Sequence, residues 1–275
     1  MRYRPFFARP ALARWLMIFA LSMGVLAGLG ACAGARGSTG PKNDLVTASD
    51  ETPDARRARI RYELAAGYYQ EGKDEVALDD IKEVVRLAPS SVDGWILRGL
   101  IYMRMGHPDL AEESFRHAQS LQPDNGTVAH NYGWLLCQQK RYAEAETQFK
   151  KAISVGYREA SRTYMNMGVC EMEAGQKSTA EESFRQSLGL EPLNPISGYN
   201  LALLLYRRGQ YDQARFYVRR LNNSDLANAQ TLWLGIRVEH ALQSTVAQQQ
   251  LAAQLHSRFP DSPEAGLLDR GAFND

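Results

Sequence analysis

The chain is poor in the residues that most protein chemistry needs. Of its 275 residues only three are cysteine and five are histidine. The histidines (His107, His117, His130, His240 and His256) form no H-E-x-x-H pair, and none stands at ligand spacing from another histidine or a cysteine. Metal catalysis therefore has no donor set. There is no G-x-S-x-G elbow and no Walker A sequence, the usual frames for a hydrolase nucleophile and for a phosphate cradle. Gly175-Gln176-Lys177-Ser178 looks faintly like a phosphate loop, but it falls where a turn between helices belongs. Charge of one sign is missing as well. The 32 basic and 31 acidic residues nearly cancel, whereas nucleic-acid phosphates demand concentrated positive charge. These absences point to a protein-binding scaffold without cofactor, metal or nucleic acid, and not to an enzyme.

Long hydrophobic runs are also scarce. The one that stands out is Trp15–Leu29, preceded by Arg2, Arg4, Arg9 and Arg14 with no acid among them. A basic opening followed by an apolar core too short to span a bilayer is the layout of a signal peptide. The core ends in Leu29-Gly30-Ala31-Cys32, which resembles the lipobox of bacterial lipoproteins. That resemblance implies removal of residues 1–31 and acylation of Cys32. The residue after the cysteine is Ala33, not the aspartate that favours inner-membrane retention, so it also implies an outer-membrane anchor facing the periplasm. The competing reading is an ordinary signal peptide with an incidental cysteine. Cleavage leaves 28 basic against 31 acidic residues, a net charge of −3. Residues 32–56 are rich in Gly, Ser, Thr, Pro, Lys and Asp. They cannot bury a core and read as a flexible tether.

The rest of the chain repeats itself. Ala77, Ala111, Ala145, Ala180, Ala214 and Ala247 follow one another at intervals of 34, 34, 35, 34 and 33 residues. Twelve residues before each stands a small residue: Ala65, Gly99, Gly133, Gly168, Ala202 and Gly235. Four residues after each stands an apolar one: Ile81, Phe115, Phe149, Phe184, Val218 and Leu251. The spacing suits two short helices, A and B, joined by turns such as Arg104-Met105-Gly106-His107, with the small residue where the helices touch. Pro89, Pro123 and Pro192 would stop helix B. The second unit, with Trp95, Gly99, Tyr102, Ala111, Phe115, Ala118 and Pro123, resembles a tetratricopeptide repeat at every one of those positions. The fold implied is all-α, a right-handed superhelix of about six such repeats. It would occupy 57–262, with units near 58–91, 92–125, 126–160, 161–194, 195–227 and 228–262, followed by a C-terminal tail at 263–275. The last unit would act as a cap.

In tetratricopeptide repeats helix A lines a groove through positions 2, 5, 9, 12 and 13. Positions 5, 9 and 12 read here as Tyr62, Ala66, Tyr69; Ile96, Leu100, Met103; His130, Trp134, Cys137; Met165, Val169, Met172; Tyr199, Leu203, Tyr206; and Leu232, Ile236, Glu239. Many such grooves are charged. This stripe is aromatic and aliphatic with three methionines, and contiguous apolar surface is seldom left open unless it binds something. The alternative is that neighbouring helices cover part of it. Glu112-Glu113 and Glu181-Glu182 fall early in helix B and read as solvated positions near a helix N-terminus.

Apart from Cys32, only Cys137 and Cys170 remain, near the ends of the A helices of units three and four. In an oxidising compartment they suit a disulfide if their Cβ atoms approach to about 4 Å. Otherwise they are two small buried apolar residues.

A narrower likeness rests on Arg98-Gly-Leu-Ile-Tyr-Met103, Leu110-Ala-Glu-Glu-Ser-Phe115, His130-Asn-Tyr-Gly-Trp134 with Cys137, Asn166-Met-Gly-Val-Cys170 and Tyr199-Asn-Leu-Ala202. Together these resemble the type IV pilus biogenesis/stability lipoproteins of the PilF/PilW type, the secretin pilotins. The likeness implies a lipoprotein that binds the outer-membrane secretin subunit and promotes its localisation and multimerisation. It departs from the family pattern where unit three ends at Tyr157 in place of proline. Another periplasmic scaffold, for outer-membrane or cell-wall assembly, is the alternative reading.

Overall fold

The computed structural model of the protein describes residues 51–273, so the signal peptide, Cys32 and most of the tether lie outside the described residues. Those described form thirteen α-helices and no strand. Twelve make six antiparallel pairs: α1 (Pro53–Gln70) with α2 (Asp74–Leu87), α3 (Val92–Arg104) with α4 (Pro108–Leu121), and α5 (Gly126–Gln138) with α6 (Tyr142–Ser154). The series continues with α7 (Ala160–Glu173) and α8 (Lys177–Leu190), α9 (Pro195–Arg207) and α10 (Tyr211–Asn222), and α11 (Ala229–Ala241) and α12 (Thr245–Arg258). Each A helix also touches the A helix of the next pair. Among the described residues no helix is long and apolar enough to cross a membrane.

The register follows from side-chain volume. A Cβ placed on Gly99, Gly133 or Gly168 would lie 2.7, 2.9 or 2.7 Å from the ring of Phe115, Phe149 or Phe184. All three rings are fully buried. The small residue of helix A is thus the seat of the large residue of helix B, and the two are fixed in sequence by the turn between them. In most units that turn reverses through a left-handed glycine: Gly72, Gly106, Gly175 and Gly209 have φ between +75° and +79°. The third and sixth units place Lys140 (φ 62°) and Gln243 (φ 59°) there instead.

Most A helices open on a side-chain cap, which satisfies backbone donors left free in the first turn. Ser91, Asn125 and Asn194 accept from the amides of Gly94, Val128 and Ser197 at 3.0–3.1 Å. Asn228 and Thr231 form a reciprocal capping box. The exception is α7, whose N-cap is Glu159 and receives no such bond. It follows the interval of 35, where the chain leaves α6 through Gly156 (φ +73°). Tyr157 takes the place of proline there, and its Cβ would lie 2.8 Å from a side chain on Gly126.

Three sequence expectations are corrected. Helix α1 begins at Pro53, capped by Thr52, so the tether stops short of residue 56; the signal was a Thr-Pro start. The expected C-terminal tail at 263–275 is structured over its described part, because Pro263–Asp269 form α13, which packs on α11 and α12. Glu112 and Glu181 are not solvated. Each is largely buried and paired with an arginine of the following unit, Glu112 with Arg141 at 2.7 Å and Glu181 with Arg208 at 2.6 Å. Asp74 and Arg104 form a third bridge of this kind. Covering such a carboxylate is tolerable because an arginine pairs with it. Since the guanidinium comes from the next unit while keeping part of its surface in solvent, these pairs tie unit to unit.

Candidate partner-binding site

Four successive A helices, α1, α3, α5 and α7, wall one cleft of about 390 Å³. It gathers six of the residues singled out in the sequence: Tyr69, Leu100, Met103, His130, Trp134 and Met165. Tyr69, Leu100, Met103 and Trp134 are half-buried and pack on the core with one edge free. This is the arrangement expected of helix positions three and four residues apart, which share a face. The stripe does not continue unbroken in either direction. Tyr62 sits in a separate hollow with Ala58, Val84 and Ala88, where burial raises its hydroxyl pKa. Met172, Tyr199, Leu203 and Tyr206 are also half-buried, but they pack on the core of units four to six.

Six of the eighteen residues at the groove positions are not open: Ile96, His130, Cys137, Leu232, Ile236 and Glu239 are all buried. Ile96 is 6% exposed and belongs to the core. His130 is 1% exposed, and its ring forms the base of the cleft without presenting a free edge. Its Nδ1 lies 2.9 Å from Thr163 Oγ1, and its Nε2 lies 3.4 Å from the Asn166 amide nitrogen. The Tyr157 ring covers it at 5.2 Å. Burial pushes its pKa down from 6.5 to about 4, helped by the positive charge of Arg162. His130 is therefore a neutral pin between α5 and α7. A second pin joins the same helices, for Cys137 and Cys170 form a disulfide with their Cα atoms 5.7 Å apart.

The polar rim escaped the sequence reading. Arg104, Asn131, Gln138, Arg162 and Asn166 complete the cleft wall. Arg104 stacks over Tyr69 at 3.6 Å and donates to the Tyr69 carbonyl at 2.6 Å while paired with Asp74. Arg104 and Gln138 occupy position 13 and Arg162 position 2, so the signal lay in the two groove positions that were left unread. The cleft thus offers apolar floor, adaptable thioethers and two guanidinium groups at its edge. That suits an apolar peptide segment carrying acidic or carbonyl groups. A larger hollow of about 600 Å³ lies on α4, lined by Asp109, Glu112, Glu113, Arg116 and His117. All five come from one helix with no facing wall, and an open charged surface cannot desolvate a partner as a four-helix cleft does. We therefore place the candidate site on the A helices.

Comparison with known proteins agrees with this architecture. Tetratricopeptide repeat models match residues 92–125, 126–161 and 167–225. The chain is similar to the type IV pilus assembly protein PilF of Pseudomonas aeruginosa, with 31% identity over 228 residues, 80% of this chain and 90% of that protein. Among solved structures it resembles Pseudomonas aeruginosa PilF, with a TM-score of 0.71 and 28% identity over 80% of this chain and 100% of the other. It also resembles PilW, described as a widely conserved type IV pilus biogenesis factor, with a TM-score of 0.68 and 30% identity over 77% and 97% of the two chains. The structure of MamA, at 18% identity and a TM-score of 0.52, shares the fold alone.

Proposed function

The chain belongs to the tetratricopeptide-repeat family of type IV pilus biogenesis proteins that includes PilF, and from that premise we propose that it is a secretin pilotin. In this reading Cys32 carries the lipid anchor, the mature chain faces the periplasm from the outer membrane, and the A-helix cleft holds a segment of the secretin subunit during multimerisation. The observation that carries the reading is the cleft itself. Tyr69, Leu100, Met103, Trp134 and Met165 form an apolar floor across four helices, with Arg104 and Arg162 at its rim. Aromatic anchors in such a setting typically contribute about 2 kcal/mol or more each, roughly thirtyfold in affinity. The scaffold contributes binding and position, not chemistry.

The test is a gene deletion complemented with wild type, Trp134→Ala, Met165→Ala or Cys32→Ser. Secretin is then measured as monomer and multimer in outer-membrane fractions. The cleft variants should remain helical by circular dichroism and anchored, yet leave secretin monomeric. Cys32→Ser should be folded but absent from the outer membrane. Normal secretin multimers with both cleft variants would overturn the assignment of the cleft. Normal multimers in the uncomplemented deletion would overturn the function.

A further inference from the structure

The A-helix face is not free at its C-terminal end. Beyond α13 the chain turns at Gly271 (φ +64°) and lays Phe273 on α11. The Phe273 ring stacks on His240 at 4.2 Å between centroids with 15° between planes, and on Trp233 at 5.7 Å and 27°. The Phe273 carbonyl oxygen accepts from Arg237 Nε at 3.1 Å and from the Tyr206 hydroxyl at 3.4 Å. The Arg237 guanidinium in turn sits 4.8 Å from the centre of the Tyr206 ring, which holds the two donors together.

We propose that these four residues form a peptide-binding site, one that takes an aromatic side chain on Trp233 and His240 and reads the same residue's main-chain carbonyl through Arg237 and Tyr206. Residues 271–273 are its built-in occupant. A terminal cap needs only apolar cover with a polar outer face; it does not need two donors converging on a single carbonyl. Pockets for a side chain combined with hydrogen bonds to the main chain are how extended segments are recognised. The occupant is also lightly held, because Phe273 remains half-exposed and the helix behind it has seven residues. The site adjoins a second stretch of A-helix face, separate from the cleft on α1, α3, α5 and α7, since Tyr206 shares one face of α9 with Leu203 and Tyr199. A partner segment with its aromatic residue here would run on along that helix. That a client uses the site rests on the scaffold reading above; the site itself does not.

The probe is a fluorescein-labelled synthetic peptide with the sequence of residues 265–275, added to the mature chain. Phe273→Ala in the full chain removes the ring from the site without touching its walls, and truncation after Arg270 removes the carbonyl as well. Both should bind the peptide saturably, and the intact chain at least roughly tenfold more weakly, because its own segment occupies the site for most of the time. A peptide with alanine in place of phenylalanine, or the double variant Phe273→Ala with Arg237→Ala, should lose binding. Equal binding to intact and Phe273→Ala chains would overturn the proposal. So would no binding to Phe273→Ala that stays helical by circular dichroism. Because the probe is the chain's own sequence, either result leaves the secretin reading standing, and loss of that reading leaves this result unchanged.

Discussion

His130 should make stability fall as the solution is acidified, and by a calculable amount. Its ring is buried between α5 and α7, 2.9 Å from Thr163 Oγ1. The Thr163 hydroxyl donates to the Glu159 carbonyl at 3.4 Å, which leaves Oγ1 to accept from Nδ1–H. The Asn166 amide then faces an unprotonated Nε2, and a proton there would meet a donor inside a buried site. The pKa in the fold is about 4 against 6.5 for the free side chain. The folded value is depressed, so between pH 6.5 and pH 4 the unfolded chain takes up a proton that the folded chain refuses. The stabilisation is complete above about pH 6.5, is lost as the pH falls through this window, and stops changing below about pH 4. A shift of this size corresponds to about 3 kcal/mol. The assay is urea unfolding followed by circular dichroism at pH 7, 5.5 and 4 for wild type and His130→Gln, with the disulfide intact. At pH 7 the variant should be the less stable, having lost ring packing. It lacks the proton-linked loss, however, so the gap should close by about 3 kcal/mol on reaching pH 4. Carboxylates that titrate in this range act on both proteins and cancel in the difference. Parallel profiles would refute the reasoning.

Further outcomes follow from contacts already described. Gly67→Ala and Gly99→Ala should move in opposite directions in chemical denaturation. A Cβ at Gly67 meets nothing within 4 Å and should gain up to about 1 kcal/mol of helix propensity. At Gly99 it would come 2.7 Å from the Phe115 ring and should cost about 1–3 kcal/mol. Lys140→Gly relieves a left-handed residue at φ 62° and should raise stability by about 0.5–1 kcal/mol, read as a higher denaturation midpoint at unchanged slope. The double variant Cys137→Ser with Cys170→Ser opens a loop closed across 33 residues and should lose about 2–4 kcal/mol. Two free thiols in native protein alkylated without reduction would remove that last expectation.

The repeat was legible because its cause is local. A small residue in helix A and a large one in helix B must meet across a turn of fixed length, so the pairs Gly99–Phe115, Gly133–Phe149 and Gly168–Phe184 recur with the period of the fold. The apolar wall of the cleft was legible for the same reason, since positions 9 and 12 of each A helix repeat with it. What could not be read were contacts between units. His130 looks like a groove residue by position, yet its partners Thr163 and Asn166 lie 33 and 36 residues away. Glu112 looks solvated until Arg141, 29 residues on, closes over it. Such pairs have no spacing rule within a unit. The C-terminal segment escaped for a different reason. It packs across the end of the stack as a single helix and turn, so it carries no repeat signal at all.

The clamp and the cleft form one construction. His130 and Trp134 lie one turn apart on α5, and Met165 precedes Asn166 on α7, so the residues that pin the two helices neighbour those that face a partner. The His130–Thr163 contact holds the helices near their N-termini, and the Cys137–Cys170 bond holds them near their C-termini. A repeat stack bends most easily between units, because each unit contacts only its neighbours. At the junction of units three and four that freedom is removed, and the wall carrying Trp134 and Met165 keeps a fixed width. Adaptability is left to the lining, where Met103 and Met165 can re-pack around an irregular segment. A rigid frame lowers the ordering cost of binding, while a soft lining relaxes the demand on the partner's shape. The His130 and cysteine variants should therefore weaken partner binding even though all three side chains are buried. The loss should be smaller than that of Trp134→Ala, which removes the contact itself.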